Sequence, residues 1–127
     1  MSKIERFLRR GKPSVVYPHV ARMKNPVLLA GLLDSSKHQN FFLSRKASGR
    51  LVELGPSVAE HVAKYLYSED MYAPMFAVHI LNATDAVETA SKHESVIRKI
   101  REQNTIEGEV VKACSQLLKK IQEAKNK

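Results

Sequence analysis

The stretch RKASGRLVELGPSVAEHVAKYL, residues Arg45 to Leu66, decides how the rest of the chain is read. Ala47, Leu51 and Leu54 recur at spacings of four and three, which places them on one face of a helix. Gly55 can take the left-handed backbone that ends a helix, and Pro56 suits the first turn of the next, so two helices meet with almost no loop. On the second helix Val58, Val62 and Leu66 share a face, with Ala59 and Ala63 beside them. Three readings compete for such a seam: a DNA-reading helix-turn-helix, part of an enzyme core, or one unit of a helical repeat that presents a surface.

Working outward, the same punctuation recurs. Asn25 is a good N-cap and Pro26 a good first-turn residue, so a helix is expected over about 26–35. A second covers about 40–54, where Leu43 joins the apolar face, and a third about 56–67. Asp70 interrupts the chain, and Pro74 falls in the first turn of a fourth helix, about 73–82, carrying Ala77, Ile80 and Leu81. Residues 83–90 fit either a loop or a short turn begun by Asp85. Ser91-Lys92-His93-Glu94 has the S-x-x-E form of a capping box ahead of Val96, Ile97 and Ile100. Thr105 is read as the cap of a last helix, about 106–123, bearing Val110, Ala113, Leu117 and Ile121. Its Lys-rich end suits the negative pole of the helix and frays over 125–127. No segment alternates with period two for long enough to form a strand, so the expected class is all-α.

The first 24 residues read differently. Ile4, Phe7 and Leu8 fit one side of a short helix, but Gly11, Pro13 and Pro18 break anything longer. The reading is a basic arm over 1–24, partly extended through Pro18, followed by a single α-helical domain over 25–124. Charge supports that division. The chain of 127 residues carries a net +8; residues 1–24 have seven basic groups against Glu5 alone, residues 25–90 are slightly acidic at −2, and residues 91–127 hold +4.

Size and composition bound the rest. A chain of 127 residues with 43% hydrophobic content supports one core and one domain. No apolar run approaches the roughly 20 residues that cross a bilayer. The lone Cys114 excludes an internal disulfide, and with no secretory apolar region it fits a reducing intracellular compartment.

Three of the expected helices share an Ala-x-x-x-Leu core: Ala47/Leu51, Ala77/Leu81 and Ala113/Leu117, set 30 and 36 residues apart. Each follows another amphipathic helix, giving three hairpins over about 26–54, 57–82 and 92–123. The small Ala lets one helix approach its partner closely, and the Leu one turn later fills the space beside it. With Leu54-Gly55 at the seam and Asp70 after Leu66, residues 41–82 resemble HEAT or armadillo-type helical repeats. Residues 26–40 and 92–121 match more loosely, and the arm does not match. Ala73-Pro74 stands where such repeats often carry Val-Arg, which is a departure. The resemblance implies a short right-handed stack of about three αα hairpins whose work is contact with other macromolecules.

The residues that could carry chemistry do not assemble into a site. His19, His38, His61, His79 and His93 form no H-x-x-x-H pair, and a metal needs three or four convergent ligands. On a helix beside Ala113, Cys114 reads as a small core residue. Ser44, Ser48 and Ser57 lack the G-x-S-x-G context, and Gly49 and Gly55 belong to no phosphate loop. The expectation is no enzyme, no metal, no cofactor and no small-molecule substrate. The helix-turn-helix reading is weakened by Glu60 and Glu69, acids on or beside the helix that would have to face phosphate.

What remains is the basic arm. Lys3, Arg6, Arg9, Arg10, Lys12, Arg22 and Lys24 are the candidate contacts for RNA or an acidic protein surface, because several phosphate contacts together bind tightly without reading sequence. Phe7 and Tyr17 could add stacking. An Arg-rich, acid-poor arm also fits a mitochondrial targeting region. The function expected is a non-enzymatic structural subunit of a large assembly, most concretely a ribosome-like ribonucleoprotein, for which the mitochondrion is one candidate compartment. In that reading the arm meets RNA or acidic protein and the repeat packs on neighbouring subunits. The alternative is an adaptor that binds a peptide or helix in a groove of the repeat.

Overall fold

The computed structural model describes residues 11, 13–34, 40–104 and 108–126. Within them the helices are α1 (Pro13–Arg22), α2 (Pro26–Gly31), α3 (Phe41–Leu54), α4 (Ala59–Ala63), α5 (Ala73–Ala83), α6 (Val87–Ser91), α7 (Glu94–Gln103) and α8 (Glu109–Lys125). Single 3-10 turns, Pro56–Val58 and Lys64–Tyr67, extend α4 at both ends. No described residue lies in a strand. The protein is all-helical, and no described helix is long and apolar enough to cross a membrane.

Local chemistry sets most of the boundaries. Asn25 accepts hydrogen bonds from the amides of Val27 (3.0 Å) and Leu28 (3.3 Å), while Pro26 has no amide to leave unpaired. Asn40 does the same for Leu43 N at 3.2 Å. Gly55 has φ +84°, a backbone that costs other residues a clash, and it lets α3 stop and the chain turn into the Pro56–Val58 turn at once. At the start of α5 the Asp70 carboxylate accepts from Tyr72 N (3.2 Å) and Ala73 N (2.9 Å). Asp70→Ala is expected to cost about 1 kcal/mol by the usual worth of such a cap, read as a lower urea midpoint at unchanged slope.

The amino-terminal segment departs from the extended arm expected of it. Residues 13–22 are helical, with Val16 and Val20 buried against α3 and Met23 buried just beyond. Pro13 stands at the first helical position, where its missing amide costs nothing. Pro18 does interrupt the hydrogen-bond ladder, at a price near 3 kcal/mol. Burying two valines and a methionine returns roughly 1.5–3 kcal/mol each, so packing outweighs the proline. Lys3, Arg6, Arg9, Arg10 and Lys12 of the expected arm lie outside the described residues.

Helix α5 is the centre of the molecule. It packs against α3, α4, α6, α7 and α8, and buries Ala73, Ala77, Val78, Ile80 and Leu81 completely. The three Ala-x-x-x-Leu helices are neighbours in space: α3 lies on α5, and α5 on α8. All six motif residues face the core, Ala113 least completely at 9% exposed. Helix α2 packs on α3, and α7 on α8. Polar links tie these contacts down. Ser44 Oγ, buried in α3, donates to the Leu32 carbonyl just past α2 (2.7 Å), and Arg50 Nε donates to the Met23 carbonyl (2.8 Å). Lys120 Nζ of α8 donates to the Asn82 carbonyl (2.9 Å) and to Asp85 (2.6 Å), placing a cation at the negative end of α5.

Of the two readings open for residues 83–90, the short turn is the one that forms, as the helix Val87–Ser91, whereas the expected Ser91-to-Glu94 capping box does not close. Ser91 Oγ donates to the Glu88 carbonyl, and the Glu94 carboxylate is held by Lys125 Nζ (2.8 Å) and Arg98 (3.2 Å). Helix α8 begins at Glu109, and its expected cap, Thr105, lies outside the described residues.

Cys114 is fully buried in α8, and loss of hydration pushes its thiol up to about 11. The folded chain therefore holds its proton where the unfolded chain, with a thiol near 8.5, would release it. This group's contribution to stability is fully present below about pH 8.5 and is lost as pH rises towards 11. At pH 8 the thiol is expected to react with an aromatic disulfide reagent only as fast as the fold opens, and at once in urea.

Candidate nucleic-acid interface

Helix α3 buries one face, made of Leu43, Ser44, Ala47, Ser48 and Leu51. Its opposite face carries Phe42, Arg45, Lys46 and Gly49, all exposed. Because α1 packs along α3, this face forms one wall of a cleft of about 460 Å³, with Tyr17 and Ala21 of α1 on the other. The chemistry is mainly cationic and aromatic, with Glu53 the one carboxylate on the lining. Lys46 Nζ stands 6.0 Å from the centre of the Tyr17 ring, and Phe42 is 61% exposed. Arg50 also reaches the cleft, but its guanidinium is already committed to Met23 O and to Glu53 at 3.1 Å. Neither Arg45 nor Lys46 has a carboxylate partner among the described residues.

Such chemistry is compatible with a nucleic-acid strand. Unpaired cations attract phosphate and release its counterions, while an exposed ring offers a stacking platform for a base. Of the candidate contacts in the sequence, Arg22 and Lys24 are exposed, Arg22 in the last turn of α1 and Lys24 just after it. The structure brings forward Phe42, Arg45 and Lys46, which the sequence reading did not single out. The signal was present: positions 42, 45 and 46 stand at i, i+3 and i+4 and share a helical face.

A second concavity, about 710 Å³, lies on the other side of the same ridge and is walled by α3, α5 and α8. Arg45 and Gly49 border both. Gly49 has open space where a side chain would stand, with nothing within 4 Å of an added Cβ. The fold gains nothing from a glycine in the middle of α3, where alanine is favoured by about 1 kcal/mol. Gly49→Ala is accordingly expected to raise the unfolding free energy by about that amount, measured by urea titration.

Away from this ridge the character changes. Glu60 of α4 accepts from Thr89 Oγ1 (3.0 Å) and Lys92 Nζ (3.3 Å), and these bonds, that from Thr89 first, hold its carboxyl below the usual carboxylate range. An anion is thereby fixed on the helix that a helix-turn-helix reader would turn towards DNA. His93 Nδ1 and Tyr67 Oη share a hydrogen bond of 2.6 Å. Among the described residues no three of His, Cys, Asp and Glu stand close enough to hold one metal ion. No protein-family model, curated protein or solved structure matches the chain.

Proposed function

We propose that the protein is a non-enzymatic structural subunit of an RNA-containing assembly, a ribosome-like particle being the most concrete form. The observation that carries this is the α3 face, where Arg45 and Lys46 stand without acid partners beside Tyr17 and the exposed ring of Phe42. In this reading Lys3, Arg6, Arg9, Arg10 and Lys12 supply further RNA contacts beside those of α1 and α3. The HEAT-like arrangement belongs to the same proposal. Its support is the spatial order of the Ala-x-x-x-Leu helices, α3 beside α5 beside α8, each packed against the shorter helix that precedes it, α2, α4 and α7. Such a stack works by surface contact.

The test is a fluorescence titration of the full chain against a short unpaired RNA across a range of KCl concentrations. Binding should weaken with salt by about 0.7 in the log–log slope for each phosphate engaged. Removal of residues 1–12, which leaves α1 in place, should flatten that slope and leave the melting transition unchanged. Salt-independent binding, or no binding at low salt, removes the RNA reading.

A further inference from the structure

The concavity across α3, α5 and α8 is a different surface from the RNA-facing cleft, and its floor is apolar. The Phe41 ring lies 4.9 Å from that of Tyr72 and 5.6 Å from that of Phe76, joining the starts of α3 and α5. Met75 continues this floor along α5, and Val110 and Ala113 of α8 close its far side. The exposed large apolar side chains of the described residues are Val27, Phe41, Phe42, Tyr67, Met71 and Tyr72. Two of the six, Phe41 and Tyr72, line this groove and touch each other, and Met75 and Phe76 extend their surface along α5. A contiguous patch of this kind, rimmed by polar groups, is the ordinary mark of a surface meant to be covered.

The rim says what covers it. Arg45 of α3 and Lys112 of α8 both line the groove, and neither has an ion-pair partner among the described residues. His79 of α5 also lines it, and Glu109 is the single carboxylate on the lining. An acidic occupant is favoured over a basic one. Its backbone must also be satisfied. An extended peptide would need partners for its amides and carbonyls, and the groove has no strand edge to supply them. On its wall Asn82 Nδ2 donates to Gln116 Oε1 at 2.9 Å, and Asn82 Oδ1 is buried beyond the reach of an incoming backbone. A helix brings its own backbone bonds and asks the groove only for apolar contact and flanking charge.

We propose that this groove seats an amphipathic helix of a neighbouring protein, with apolar residues at three- and four-residue spacing flanked by Asp or Glu. The inference rests on the neighbour-packing half of the reading above and names the kind of neighbour; it shares Arg45 with the RNA reading, so the test turns on Lys112 and Met75, which lie outside the RNA-facing cleft.

The experiment selects randomised peptides of about 16 residues, long enough for a helix of roughly 24 Å, displayed against the full chain. The recovered sequences should show a helical apolar period with acids beside it. The best of them, synthesised, should gain helical circular dichroism on binding. Lys112→Glu and Met75→Gln should each weaken that peptide at least tenfold. Both positions lie at the surface or half-buried, and melting curves will show that the variants fold. Recovery of basic or proline-rich sequences, no recovery, or peptides indifferent to both variants would overturn the proposal. So would an equal loss of RNA affinity in Met75→Gln, which would make the groove part of the RNA surface. Peptides that behave as expected while the RNA titration is flat would remove the RNA reading and leave the groove standing.

Discussion

Leu81→Ala will lower the unfolding free energy by about 3–4 kcal/mol and the melting temperature by roughly 10–15 °C. The size follows from position. Leu81 is fully buried at the core-facing side of α5, the helix that packs against five others, so no single neighbour can shift to fill the space without disturbing the rest. A less central leucine can be partly replaced by local collapse, and the cost then falls towards the lower end of the range for such truncations. Leu118 is such a case, 6% exposed on α8, and Leu118→Ala should cost visibly less. Thermal melts of the two variants side by side check the point. Equal losses would mean that α5 is not the element on which the packing turns.

Replacing Phe42 by Ala together with Arg45 and Lys46 by Gln will weaken binding of unpaired RNA by about a hundredfold or more at low salt. Loss of one stacked base accounts for about 1–3 kcal/mol, or roughly 5- to 150-fold. Each lost phosphate contact removes about 0.7 from the salt slope, so the two cations together flatten it by about 1.4. The three side chains are exposed, and the triple variant should therefore melt close to the parent. Phe42→Ala alone gives a second readout: it should lower affinity with the salt slope unchanged, since a ring displaces no counterions. If the triple variant binds RNA as the parent does, the α3 face is not the interface.

The parts of the fold legible in the sequence are those fixed by short-range chemistry. Asn25-Pro26, Gly55-Pro56 and Pro74 act within one turn of themselves, and the helices they bound appear close to where the sequence placed them. What the sequence hid was decided at long range. Pro13 and Pro18 read as breakers, yet α1 forms because Val16, Val20 and Met23 have a core to enter. Glu94 reads as half of a capping box, yet its carboxylate is taken by Lys125, 31 residues further on. The same distinction holds for the surfaces. The basic character of the amino-terminal segment could be counted, while the cleft exists only because α1 folds back beside α3. The groove depends on Phe41 meeting Tyr72 and on α8 arriving beside both, which no local pattern announces.

The docking of α1 also bears on truncation. Any cleavage near the amino terminus meets a limit at α1. A cut within Pro13–Arg22 would strip Val16 and Val20 from their seats on α3, bare apolar core, and release Arg50 from the Met23 carbonyl that anchors it. A shortened chain that is to stay folded must therefore keep Pro13–Arg22.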